Sequence, residues 1–276
     1  MDDHFRSTAN PSTSKDHPTK SQPVAAAQPS VVADVWQMYQ RGELEKCHQM
    51  LRVGNRRVED IHDHESLELL GLILHDLGKP YDAADAIERA SLLAPIRDET
   101  RIALASCYAQ LRRIDLAREL YLQLALQRRL PANLMLQIAA GLEATDAAEL
   151  AMTVCEWVTE DHPGHAQAFY DMGFYNARSG QPLYVTEAFT REAVRADPGN
   201  LHYRIGLISL LIQMQRDDEA LEIFSSVSPD QIGEVTCSGC LDRIASMLRR
   251  RHQPELADRC ERQRDSIRLN HPAESD

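Results

Sequence analysis

Small residues recur through the middle of this chain at a fixed interval of 34. Gly71, Ala105, Ala139 and Gly173 form one series, and Ala83, Ala117 and Ala151 form a second. Each member of the first series follows a large apolar residue: Leu70, Leu104, Ile138 and Met172. Pro95, Pro163 and Pro198 stand 68 and 35 residues apart in the same phase. Three kinds of residue sharing one register describe a repeated unit of two short antiparallel helices. The small residues let the two backbones approach, the large ones fill the space between units, and proline ends the second helix because it cannot continue one. Gly78, Asp146 and Gly180 fall where each unit needs its turn. Units of this kind cannot bury their apolar faces alone, so they stack and share one elongated interior.

The rest of the chain agrees with an all-α reading. From Val31 onward apolar residues recur at three- and four-residue spacing, interrupted every dozen or so positions by Gly, Pro or charged pairs. No segment alternates apolar and polar residues as a half-buried strand does, so the expected architecture is an α-solenoid without a sheet. Residues 1–30 are rich in Ser, Thr, Pro, Ala and Gln and read as a disordered tail. Thirty basic against 42 acidic side chains leave a net charge of -12, which repels phosphates and argues against nucleic acid as the main ligand. No run is long and apolar enough for membrane insertion, and the N-terminal stretch lacks the pattern of a secretory signal. The expected location is therefore cytoplasmic.

In its 34-residue period and its order of small, large, turn and proline positions the chain resembles the tetratricopeptide repeat (TPR) family. The clearest unit holds Leu67, Leu70, Gly71, Leu74, Gly78, Ala83, Ile87, Ala90 and Pro95 at the signature positions, with leucine in place of the usual tryptophan. The next three carry Leu104, Ala105, Tyr108, Ala117 and Tyr121, then Ile138, Ala139, Leu142, Ala151 and Pro163, then Phe169, Met172, Gly173, Gly180, Phe189, Ala193 and Pro198. The resemblance implies a superhelix of about seven units, at 31–61, 64–97, 98–131, 132–165, 166–200, 201–234 and 238–270, with a charged closing pair and a flexible end at 271–276.

The resemblance also implies a function: a scaffold or adaptor, not an enzyme, whose first helices line a concave groove for a protein or peptide partner. Carried over by position, the groove holds Trp36, Tyr39, Glu68, Leu72 and His75 at one end. Ile102, Ser106, Ala109, Leu136, Ala140 and Glu143 follow in the middle, and Tyr170 and Phe174 stand at the far end. Small residues at Ser106, Ala109 and Ala140 make room on the floor, and aromatic anchors flank it. One subset of the family grips chaperone C-termini with lysine, asparagine and arginine. Here Val32, Trp36, Leu69 and Gln137 occupy such positions, so that ligand is not expected. Glu68 and Glu143 favour an apolar partner with some basic character.

Six cysteines are too few for a disulfide framework, and Cys47, Cys107 and Cys155 fall at or beside packing positions. Cys237-Ser-Gly-Cys240 is the one local motif with chemistry in it. A CxxC at a helix start is activated by the helix end or supplies half of a zinc site, and an antiparallel closing pair would bring Cys260 within reach of Cys240. An alternative function follows, a redox-responsive or zinc-containing regulator using Cys237, Cys240 and Cys260. The absence of a second CxxC and of a spaced fourth ligand favours inert packing, with no metal and no cofactor. His62, Asp63 and His64, beside Asp60 and Glu65, lie between two units where a solvated connector is expected. Gly71 and Gly78-Lys79 do not have the spacing of a phosphate loop, and Pro80 stands where a hydroxyl residue is needed.

Overall fold

The structure, a computed structural model, describes residues 29–52, 61 and 63–270. The expected tail and C-terminal end, apart from Pro29 and Ser30, lie outside the described residues, as do Asp60 and His62. Fifteen helices follow one another among the described residues, and no strand occurs. They are α1 (Pro29–Gln40), α2 (Leu44–Arg52), α3 (His64–Asp76), α4 (Pro80–Leu93), α5 (Asp98–Gln110), α6 (Ile114–Ala125), α7 (Ala132–Glu143) and α8 (Ala148–Asp161). After them come α9 (Ala166–Arg178), α10 (Leu183–Ala196), α11 (Leu201–Gln213), α12 (Asp217–Phe224), the one-turn α13 (Pro229–Ile232), α14 (Ser238–Arg250) and α15 (Pro254–Asn270). Consecutive helices pack as pairs, α3 on α4, α5 on α6, α7 on α8 and α9 on α10, and each first helix also meets the helix that precedes it. The chain is an all-α solenoid. No helix among the described residues is long and apolar enough to cross a membrane.

The repeat is written in the backbone as well as in the side chains. Gly78, Arg112, Asp146 and Gly180, each 34 residues after the last, all adopt positive φ between 58° and 68°, and Gln215 and His252 do the same after α11 and α14. A left-handed residue just past a helix turns the chain back while the next amides satisfy the helix's last carbonyls. Thus Gly78 N–H donates to His75 O at 2.9 Å and Lys79 N–H to Leu74 O at 2.9 Å, with the same pattern from Arg112 and Arg113 to Ala109 and Tyr108. Helix starts use the usual devices: Asp63 caps α3 by accepting from Ser66 N–H, Asn200 caps α11, and Pro80 and Pro254 open α4 and α15.

The small positions do what the spacing predicts. A Cβ on Gly71 would collide with Ile87 of the paired helix, so the α3–α4 contact is that close only because the position is glycine. At Gly173 the neighbours are polar instead, with Thr190 Oγ1 at 3.1 Å and Thr186 O at 3.3 Å from the place a Cβ would take.

That difference corrects one expectation. The interior is not one continuous apolar column: the buried apolar side chains, apart from Ala193, Tyr203 and Leu210, form three groups. The first spans Val32 to Cys107 on α1–α5, the second Ile102 to Tyr175 on α5–α9, and the third Ile205 to Cys260 on α11–α15. The first two share the flanking residues Tyr108 and Leu120. Between the second and third lies a polar layer on α9 and α10, where buried Asn176 donates to Thr186 Oγ1 at 2.8 Å and Thr190 Oγ1 donates to Thr186 O at 2.8 Å. Buried Glu187 accepts there from Arg191 at 2.7 Å and from Arg216 of the next pair at 2.5 Å. Threonine and asparagine at these inward positions bring hydroxyl and amide groups that must pair with one another, so the layer is held by hydrogen bonds.

Candidate binding groove

First helices α3, α5 and α7, with the end of α1, enclose a trough of about 760 Å³. Seven residues of the expected groove meet there: Tyr39, Leu72, His75, Ile102, Ser106, Ala109 and Ala140. Gly141 lies on the same wall, and a Cβ there would collide with the Tyr121 ring behind it, so the wall is as thin as the backbone permits. A string of hydrogen bonds ties three helices together along one edge. Tyr39 Oη donates to Asp76 Oδ2 at 2.7 Å, His75 Nδ1 lies 2.8 Å from Asp76 Oδ1, His75 Nε2 lies 3.1 Å from Ser106 Oγ, and Gln110 Nε2 donates to Ser106 Oγ at 3.3 Å. With a proton on Nδ1, His75 donates to Asp76 and turns Nε2 toward the Ser106 hydroxyl. Burial, then the bond to Asp76, raises the Tyr39 phenol well above its ordinary value, so it stays a donor. The ionisable lining residues are Tyr39, His75, Asp76, Glu99 and the buried Tyr121, and neither Lys nor Arg is among them.

The other expected residues stand elsewhere. Glu68 is 4% exposed, and its Oε1 accepts from Arg97 N–H at 2.9 Å, Arg97 Nε at 3.0 Å and Thr100 Oγ1 at 2.7 Å, so it joins two units rather than facing a ligand. Burial alone would raise its carboxyl, but the bonds from Arg97 and Thr100 outweigh it and hold the group below its ordinary value. Trp36 stacks edge-on to Tyr39 at 5.5 Å and is covered by the Arg97 guanidinium 4.0 Å from its ring centre. Leu136 packs against the second apolar group. Glu143 accepts from Arg178 Nε at 2.8 Å and lines a separate cleft with Arg118 and Asp146. Tyr170 packs on His202 and Tyr203 with centroids 4.8 and 4.9 Å away, over Gly206, in another cavity. Phe174, 50% exposed, touches only the neighbouring Tyr175 ring among the aromatic contacts. The trough therefore has an aromatic end at Tyr39, while Tyr170 and Phe174 stand outside it.

Several lining residues fall outside the expected groove set, among them Gln137, which the sequence places only at a chaperone-clamp position. Asp76, Gln110 and Ala144 line the trough, as do Glu99 and Asn133, and Ala103 and Gln137. Each set is itself spaced by 34, and each lies on the row of the helix next to the expected one. A helix facing a concave surface shows two adjacent rows, and following one row of i, i+4 and i+7 positions leaves the second unread.

Cys237 and Cys240 are brought together at the start of α14, with Cα atoms 5.3 Å apart and their sulfurs paired as a disulfide. Cys260 is a fully buried free thiol outside that pair. Among the described residues no group of three or more His, Cys, Asp or Glu side chains could hold a metal ion.

No family model and no curated protein matches the sequence. Solved structures do match. The crystal structure of YrrB, a TPR protein with an unusual peptide-binding site, aligns at 17% identity over 64% of this chain and 90% of YrrB, with a TM-score of 0.50. A structure of MamA (MamA MSR-1 C2) aligns at 17% identity over 61% of this chain and 95% of MamA, again with a TM-score of 0.50. The fold is a TPR-like helical repeat. At this identity the likeness concerns the TPR-like architecture alone.

Proposed function

We propose that this TPR-like chain is a protein-interaction scaffold without catalytic activity, and that the trough between α1 and α7 takes an extended or helical segment of a partner protein. The observation that carries the reading is the trough itself: a concavity of about 760 Å³ on neighbouring first helices, with an apolar floor at Leu72, Ile102 and Ala140 and a hydrogen-bonded edge. That size and mixture suit a few side chains of a bound segment. Asp76 and Glu99, with no lining Lys or Arg, and a net charge of -12 favour a segment that is apolar with basic residues. YrrB has a peptide-binding site in a fold of the same kind.

The experiment is to fill the floor. Ala109→Trp and Ala140→Trp place an indole in the trough at half-buried and exposed positions, so both variants should keep the helical circular dichroism of the parent. Each should weaken capture of the partner at least about tenfold, the worth of blocking a buried anchor. Capture unchanged by both variants would remove the trough from the account.

A further inference from the structure

The six cysteines separate into two kinds. Cys47, Cys107, Cys155 and Cys260 are completely buried free thiols. Burial raises all four above the ordinary thiol value, Cys107 and Cys260 to about 11 and Cys155 further. Such thiols are neither ionised nor reachable at neutral pH. Cys237 and Cys240 are partly exposed, and both line a cavity of about 430 Å³ whose other walls include Tyr170, His202, Glu234 and Thr236. Their Cα separation of 5.3 Å lies within the span a disulfide bridges.

The surroundings of the pair distinguish one sulfur from the other. Cys237 is the N-cap of α14, and its Sγ accepts from Cys240 N–H at 3.2 Å. The first turn of α14 contains no acidic residue. Arg243, donating to Ser209 Oγ at 3.1 Å, passes beside Gly239 in the middle of the motif. Negative charge on the Cys237 sulfur is thus met by a backbone N–H and a helix N-terminus, with Glu234 in the lining of the same cavity as the opposing charge. Cys240, one turn in, has its own N–H committed to Cys237 and is placed to resolve whatever forms there.

We propose that Cys237 and Cys240 form a thiol–disulfide exchange site, with Cys237 as the attacking sulfur and a small disulfide entering the cavity as co-reactant. Starting from the dithiol, the Cys237 thiolate attacks one sulfur of RS–SR. The reagent's S–S bond breaks, a Cys237–SR bond forms, and RS⁻ leaves and takes up a proton. Cys240 then gives its proton to solvent, attacks the Cys237 sulfur and expels the second RS⁻. Two protein thiols are oxidised to one disulfide while RS–SR is reduced to two RSH, and excess RSH reverses the sequence. The site is independent of the trough: Tyr170 is the only expected groove residue in its cavity.

The test uses the full chain, reduced and then exposed to oxidised glutathione without denaturant, quenched with acid, alkylated and mapped by peptide mass spectrometry. Cys237 and Cys240 should lose alkylation together as a linked pair while the four buried cysteines keep theirs, and reduced glutathione should restore it. Cys240→Ser should retain one glutathione on Cys237. Cys237→Ser should acquire glutathione at Cys240 at least about tenfold more slowly, since the remaining sulfur lacks the cap position. Both variants are compared only where their helical circular dichroism equals that of the parent. Six alkylated thiols after exposure of the parent would overturn the site, and faster modification of Cys237→Ser than of Cys240→Ser would overturn the assignment of the attacking sulfur.

Discussion

Glu68 and Asp171 are both carboxylates set into a first helix, and their surroundings drive them in opposite directions. Glu68 has Arg97 and Thr100 around it, which hold its carboxyl low despite burial. Asp171 has burial without a cation: desolvation raises it to about 6, and Gln167, donating to Oδ1 at 2.6 Å, only partly offsets this. Tyr170, Tyr175 and Tyr203 are the phenols that feel its charge. A carboxyl raised on folding binds its proton more tightly in the native state, so the native protein loses stability as pH rises from the unfolded value of about 4 through the folded value. Asp171→Asn should therefore stabilise the chain at pH 7.5 by about 1 kcal/mol, after discounting for partial solvent exposure, and should change nothing at pH 3.5. Urea denaturation at the two pH values measures this, and a destabilised variant at pH 7.5 would show that Asp171 is ionised in a favourable contact. Glu68 has the opposite sign: its contribution is present above the ordinary carboxylate range and is lost as pH falls through its depressed native value. Neither fate was legible in sequence. A lone acid on a helix reads as a solvated face, and Glu68 is buried because Arg97 and Thr100 reach it from 29 and 32 residues away.

Among the elements, the helical hairpin was the most legible, because its demands are local. Gly71 against Ile87 and the left-handed residues at Gly78, Asp146 and Gly180 follow from the spacing of small and turn residues, and Arg112 adopts the same conformation in the same register. Side-chain direction was less legible: Leu136 and Glu143 share the expected row but are drawn to a core contact and to Arg178. The turns also show where the chain departs from its best local choice. Arg112 and Gln215 hold φ of 61° and 59°, where a side chain meets the backbone and glycine does not. Arg112→Gly and Gln215→Gly should each raise stability by about 0.5–1 kcal/mol, the left-handed relief slightly exceeding the added freedom of the unfolded chain. A fall in the urea midpoint of both variants would mean that these side chains contribute contacts outweighing the strain.

For the whole molecule, the polar layer on α9 and α10 divides the apolar interior, and a solenoid's stability is a sum over neighbouring units. Both tryptophans, Trp36 and Trp157, flank the first two apolar groups, and the third has none. Tryptophan fluorescence should therefore follow α1–α9 while circular dichroism follows the whole chain, and the two urea transitions should not coincide. Leu248→Ala, which opens a cavity in the third group, should shift the dichroism curve alone. Coincident curves that shift together would show one cooperative body.

The proposed function requires the partner to meet the concave trough and not the outer surface. A photo-crosslinking amino acid no larger than leucine, too small to fill the trough as an indole does, placed singly at Ala109 on the trough floor, at Leu92 on the exposed side of α4 and at Leu126 beyond α6 tests it in the native cell. One discrete crosslinked protein is expected from Ala109, lost when Ala140→Trp is added, and none in common from Leu92 or Leu126. The same protein crosslinked from Leu92 or Leu126 and absent from Ala109 would contradict it.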